Sequence, residues 1–175
     1  VKCVAIMLNK DVEEMIFLAK RVKPDILHIA GMDYTADEAF AERLHKECPG
    51  VKLMQAVLVD GPAAVDRAKH YATFCDFLLT DSGLAADTGI GASGMTHDWS
   101  IDAEIVRSVN IPVIVAGGLG PDNVEECIRQ IRPYGVDSLT KTSYKYSDGV
   151  MEKDIDKVRL FCQRADAAAA EYENK

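Results

Sequence analysis

The chain has 175 residues, 48% apolar and 27% charged, and a formal net charge of −8. That length suits one domain, 1–175, able to bury roughly 70% of its unfolded surface. The acidic balance, without any Lys/Arg cluster, argues against nucleic acid and anionic membranes as partners, and no apolar run approaches the roughly 18 residues of a membrane span. In chain order, short apolar runs alternate with stretches of helical period. Strands are expected at Cys3–Leu8, Asp25–Ile29, Lys52–Val57, Asp76–Leu79, Pro112–Ala116 and Val136–Leu139. The runs are continuous rather than alternating, as in strands covered on both faces. Asp11 and Glu14 give a capping-box-like start to a helix with Val12, Met15, Ile16 and Ala19 on one stripe. Thr35 is expected to cap a helix over 36–48. Helices over 62–72 and 101–109 follow. Pro121 suits a first helical position, ahead of a stripe of Val124, Cys127, Ile128 and Ile131. A last helix from Asp154 to about Ala170 is expected to fade into a frayed tail, AAAAEYENK.

Six βα units imply a parallel sheet, either an open doubly wound one or a (β/α)8 barrel, of which six units is two short. No GxGxxG follows the first strand. The one present, Gly89 to Gly94, lies too far past its strand to act as a dinucleotide fingerprint. Five scattered cysteines, without a CxxC, read as reduced core thiols of a cytoplasmic protein. Cys3 is expected to be a buried structural thiol. His28, His45, His70 and His97 have no metal-ligand spacing, so no metal and no cofactor is expected. His45 and His70 are expected to be solvated, and Trp99 to pack against the rim of the sheet.

In either architecture ligands gather at the C-terminal ends of the strands. The residues there are Asn9, Gly31 to Asp33, Asp60, Thr80 to Ser82, Gly117-Gly118 and Thr140 to Thr142. Gly117-Gly118, between a strand and a helix N-terminus, can admit an anion close to the backbone. Tight packing explains such a turn equally well. Lys141, flanked by two threonines, can meet a phosphate as a point charge or stand as a solvated loop lysine. The connection from Asp81 to Ser100 holds Gly89, Gly91 and Gly94, and loops of that length are usually functional or mobile.

Leu79-Thr80-Asp81-Ser82, His97-Asp98-Trp99, Ala116 to Val124 and Arg132 to Asp137 together resemble the phosphoribosylanthranilate isomerase family. The resemblance is specific over about 76–162 and weaker over 1–75. It implies a (β/α)8 TIM barrel, with this chain supplying about six units, strands 3–8. The first two units have no counterpart, so the chain is expected to be an N-terminally incomplete version of a longer barrel. Open barrel edges would favour association between copies. The implied reaction is an Amadori aldose–ketose isomerisation of a phosphorylated aminosugar, in tryptophan biosynthesis. The family's acid maps to Asp81. Its base, a cysteine on the first strand, has no counterpart, and Cys3 stands at the wrong end of its strand to replace it. His28 is the alternative acid/base, or a core histidine. The implied phosphate contacts are Gly91, Ser93, Gly94, Gly117, Gly118, Thr140 and Lys141. The family's strand-8 Ser-Ser-Gly reads Leu139-Thr140-Lys141 here. The alternative function is a divergent barrel that acts on, or only binds, another small phosphorylated metabolite.

Overall fold

The computed structural model describes residues 1–31, 33–85, 89–90, 98–147 and 149–173. Six parallel strands form one sheet: β1 (Val4–Met7), β2 (Ile26–Ile29), β3 (Lys52–Leu58), β4 (Phe77–Asp81), β7 (Val113–Val115) and β8 (Gly135–Val136), hydrogen-bonded in that order. Helices α1 (Val12–Val22), α2 (Glu38–Glu47), α3 (Ala63–Tyr71), α4 (Trp99–Ser108), α5 (Val124–Ile131) and α6 (Ile155–Glu173) follow the strands in turn. Sheet order equals chain order. With every crossover of one hand, such a sheet carries all its helices on one face, which excludes the doubly wound alternative.

Side-chain alternation separates two cores. Leu27, Ile29, Leu53, Val57, Leu78, Val113 and Val115 join the helix stripes in the main cluster. Ile26, Met54, Leu79 and Ala116 form a smaller cluster on the opposite, helix-free face, with Phe77 and Ile114 against it. On β1 the residues that alternate with the buried ones stay open: Val4 is 42% exposed and Ile6 is 61%. An edge strand has a neighbour on one side only. No described helix is long and apolar enough to cross a membrane.

The helix stripes form as expected. Met15, Ile16 and Ala19 of α1 are buried, as are Val124, Cys127, Ile128 and Ile131 of α5. Asp11 caps α1 by accepting from the backbone N–H groups of Glu13 and Glu14. Several boundaries differ, each for a local reason. α2 is capped by Asp37, whose carboxylate accepts from Phe40 N, and not by Thr35. Pro121 stands in a turn ahead of α5, because Val124 N reaches back to Gly120 O. The alanine-rich segment is helical as far as Glu173, the last described residue. Ala168 is fully buried. Arg129 of α5 pairs with Glu171, and the Arg132 guanidinium lies 4.5 Å from the Tyr172 ring centroid.

The expected strand 136–139 ends at Val136, and Thr140–Thr142 form a 3-10 turn. The Thr142 hydroxyl donates back to the carbonyls of Ser138 and Leu139, and Ser143 Oγ donates to Leu139 O. Such local bonds compete with a strand ladder. A hairpin, β9 (Ser143–Lys145) with β10 (Met151–Lys153), then leads into α6. Between β4 and α4 lies a short antiparallel ribbon, β5 (Leu84–Ala85) with β6 (Gly89–Ile90).

Cys48, Cys75 and Cys127 are buried, and burial pushes the thiols of Cys75 and Cys127 up to about 12. Cys3 and Cys162 are exposed, which corrects the expectation of five core thiols. Cys3 precedes the edge strand, where no second strand covers it.

Candidate active site

The C-terminal ends of β4, β7 and β8 surround a small cleft. Asp81, Gly117, Gly118, Thr140 and Lys141 all line it, with Asp137 and Ser138. Five of the residues singled out from the sequence are thus brought together.

Asp81 is the last residue of β4 and is 8% exposed. Its carboxylate accepts from Ser82 N at 2.6 Å, and its carbonyl accepts from Val59 N at 2.9 Å. Backbone on both sides therefore fixes its place at the mouth of the cleft. Across from it, β7 ends in a turn with φ of +88° at Gly117 and +64° at Gly118. Both are left-handed conformations that a residue with a Cβ adopts at a cost of roughly 1–2 kcal/mol. Asn123 stitches this turn. Its Nδ2 donates to Gly118 O at 3.1 Å, and its Oδ1 accepts from Gly120 N at 2.8 Å. That use of Asn123 explains why it makes no side-chain cap on α5.

The third wall is the 3-10 turn after β8. Ser138 Oγ donates to Leu119 O at 2.6 Å and ties the two turns together. Gly120 lets them touch: a Cβ there would stand 2.6 Å from the Lys141 Cβ. The stem of Lys141 packs on that glycine. Asp137 and Ser138 stand where an Asp-Ser pair follows the last strand. Placing the end of that strand at Leu139 hid them, since a strand end at Val136 puts both at the rim.

The walls around Asp137 desolvate its carboxyl and raise its pKa, Lys153 opposes the shift, and the residue itself stays open to solvent at the rim. His28 lies elsewhere, in the middle of β2, registered with Ile6 and Met54. It is 6% exposed, and its Nε2 has no hydrogen-bond partner among the described residues. Burial lowers its pKa to about 4, so the imidazole is neutral at physiological pH. Gly91, Ser93 and Gly94 lie outside the described residues, as does His97. Trp99 packs partly buried against the main core. Among the described residues no His/Cys/Asp/Glu group could hold a metal ion.

The family model for N-(5'-phosphoribosyl)anthranilate isomerase matches residues 1–164. The chain belongs to that family. Among its relatives, the N-(5'-phosphoribosyl)anthranilate isomerase of Haloferax volcanii is 40% identical over 151 residues, which is 86% of this chain and 62% of that protein. The enzyme of the same name from Methanocella arvoryzae is 30% identical over 164 residues, 94% of this chain and 72% of that protein. The solved phosphoribosylanthranilate isomerase of Pyrococcus furiosus superposes with a TM-score of 0.70 at 27% identity, covering 94% of this chain and 73% of that one. The chain thus spans under two thirds of the Haloferax relative's length. Its family membership and the order of its sheet agree: a parallel sheet wound in chain order, with the cleft at the strand ends where barrel enzymes keep their sites.

Proposed function

We propose that the chain carries the phosphate grip and the general acid of a phosphoribosylanthranilate isomerase, and that its six units are strands three to eight of a (β/α)8 barrel. One observation carries this reading: a single cleft unites Asp81 with Gly117-Gly118 and with Thr140-Lys141. The proposed substrate is N-(5'-phosphoribosyl)anthranilate, the compound after which the family is named.

In this reading the phosphate sits against the Gly117-Gly118 backbone, where a Cβ would block close approach, and beside the Lys141 ammonium. Asp81, protonated, donates to the sugar ring oxygen. The C1–O bond breaks, and the aniline nitrogen's electrons form an iminium at C1. Loss of the C2 proton to a base then gives the enolamine, which tautomerises to the aminoketose. Atoms balance with no redox partner, since the two sugar carbons exchange oxidation level within one molecule. His28, the other acid/base candidate, does not line this cleft, and for it to take the C2 proton the sugar would have to extend from the phosphate toward β2.

A second reading has one observation in its favour. Thr140-Lys141 occupy a 3-10 turn where the family pattern has small residues, and a bulkier wall suits a different phosphorylated metabolite. Conversion of N-(5'-phosphoribosyl)anthranilate to its ketose, followed by chromatography, separates the two. Turnover that Asp81→Asn abolishes supports the isomerase. Phosphate binding without turnover favours the second reading.

A further inference from the structure

Lys153, at the end of β10, makes three hydrogen bonds. Its Nζ donates to Ser138 O at 3.0 Å, to Leu139 O at 3.1 Å and to Thr142 Oγ1 at 2.8 Å. An ammonium has three donors and no acceptor, so this one is fully used. Each partner belongs to the turn that forms the third wall of the cleft. The hairpin therefore reaches across to the site turn through one side chain.

The chemistry of those partners is informative. Carbonyl oxygens that faced a bound phosphate would repel it. Here the Ser138 carbonyl accepts from Lys153 and from the Thr142 hydroxyl. The Leu139 carbonyl accepts from Lys153, Thr142 and Ser143. Both lone-pair sets are engaged on the hairpin side of the turn. The same turn is fastened to the glycine turn by Ser138 and by the Lys141 stem against Gly120. A shift of residues 138–142 would thus move the Lys141 head and open the contact with the glycine wall.

We propose that Lys153 is a positioning residue of the anion cleft: it holds the 138–142 turn in the form that presents Lys141 to a phosphate, without touching the ligand itself. This rests on the phosphate reading of the cleft. Lys153 is also the cation that opposes the upward shift of the Asp137 carboxyl, which agrees with a charge set close to the site.

The test compares Lys153→Met, which keeps the stem, with Lys145→Met, which removes an exposed charge from the same hairpin. Inorganic phosphate is titrated into the 175-residue chain by calorimetry, and amide hydrogen exchange is read at residues 140–142. Lys153→Met is expected to raise the phosphate Kd about tenfold, the worth of one charge-assisted bond, and to speed exchange in the turn. Lys145→Met is expected to change neither. Lys153→Arg, which restores the charge and several donors, should bring the Kd back to within about threefold of the parent. An unchanged Kd, or equal losses from Lys153→Met and Lys145→Met, overturns the proposal. If the parent chain binds no phosphate, the phosphate reading falls. Exchange in the turn then still decides whether Lys153 shapes it, and unchanged exchange in Lys153→Met refutes that as well.

Discussion

The two ends of the sheet use carboxylates in opposite ways. At the N-terminal end, Asp25 and Asp76 each precede a strand and clasp the strand beside it. Asp25 N donates to Cys3 O while its carboxylate accepts from Cys3 N at 2.8 Å. Asp76 N donates to Leu53 O while its carboxylate accepts from Leu53 N at 2.9 Å. Lys2 adds to the first clasp, and Lys52 and His45 add to the second. These carboxylates are saturated by their own fold. At the C-terminal end, Asp81 and Asp137 line a cleft next to glycines in left-handed conformations. The first arrangement spends its charges on holding strands in register. The second keeps charge and strain where a ligand can use them.

Asp81→Asn should break the contrast most severely, lowering kcat for the proposed isomerisation by about 10³-fold while leaving the thermal midpoint within a few degrees. Steady-state kinetics beside a melt reads both. Gly117→Ala comes next. A Cβ there is strained at positive φ in a turn that lines the cleft, so the proposed phosphate affinity should drop roughly 10- to 100-fold by calorimetry.

Asp76→Ala should do the reverse, costing about 2 kcal/mol of stability in urea unfolding with little change in the cleft. The sign of its pH dependence follows from the shift. Burial tends to raise the Asp76 carboxyl, but bonds from Lys52, Leu53 and His45 outweigh it and leave the pKa lowered. A lowered carboxylate stabilises the fold above its unfolded pKa, near 3.8, and loses that contribution as pH falls through the folded value. Urea midpoints taken from pH 6 down to pH 2 should therefore fall less steeply in Asp76→Ala than in the parent.

Asp137 gives the smallest effect and the opposite sign. Its carboxyl is raised, so its charged form opposes folding at neutral pH. Because Asp137 is exposed and solvent screens its charge, Asp137→Asn should raise the thermal midpoint by about 1 °C at most at pH 7, with the gain vanishing toward pH 4. A midpoint that instead falls at pH 7 would show the group to be a clasp like Asp76.

Much of this could be read from the residues. The continuous apolar runs and the 3.6-residue stripes located six strands and six helices, because both signals come from burial on known faces. Gly117-Gly118 and Asp81 stood out because strand ends are where such folds keep their chemistry. What stayed hidden depends on contacts between distant segments. The last strand read as running on to Leu139, because nothing nearby announces that Lys153 will draw the Ser138 and Leu139 carbonyls away. The alanine-rich tail read as frayed because its anchors, Arg129 and Arg132, lie a whole unit earlier. Cys3 read as buried because a local pattern does not tell an edge strand from a central one.

The order of the sheet bears on how the chain folds. Within this sheet each strand pairs with the sheet strand before it, so each pairing closes a loop of one helix and its turns, with the β5–β6 ribbon added between β4 and β7. Loop closure of that kind costs little entropy, and chains dominated by such near-neighbour pairings fold faster than those that join their ends first. The sheet can grow by adding one strand and helix at a time, and the cleft, built from β4, β7 and β8, takes shape only when the last of them has arrived.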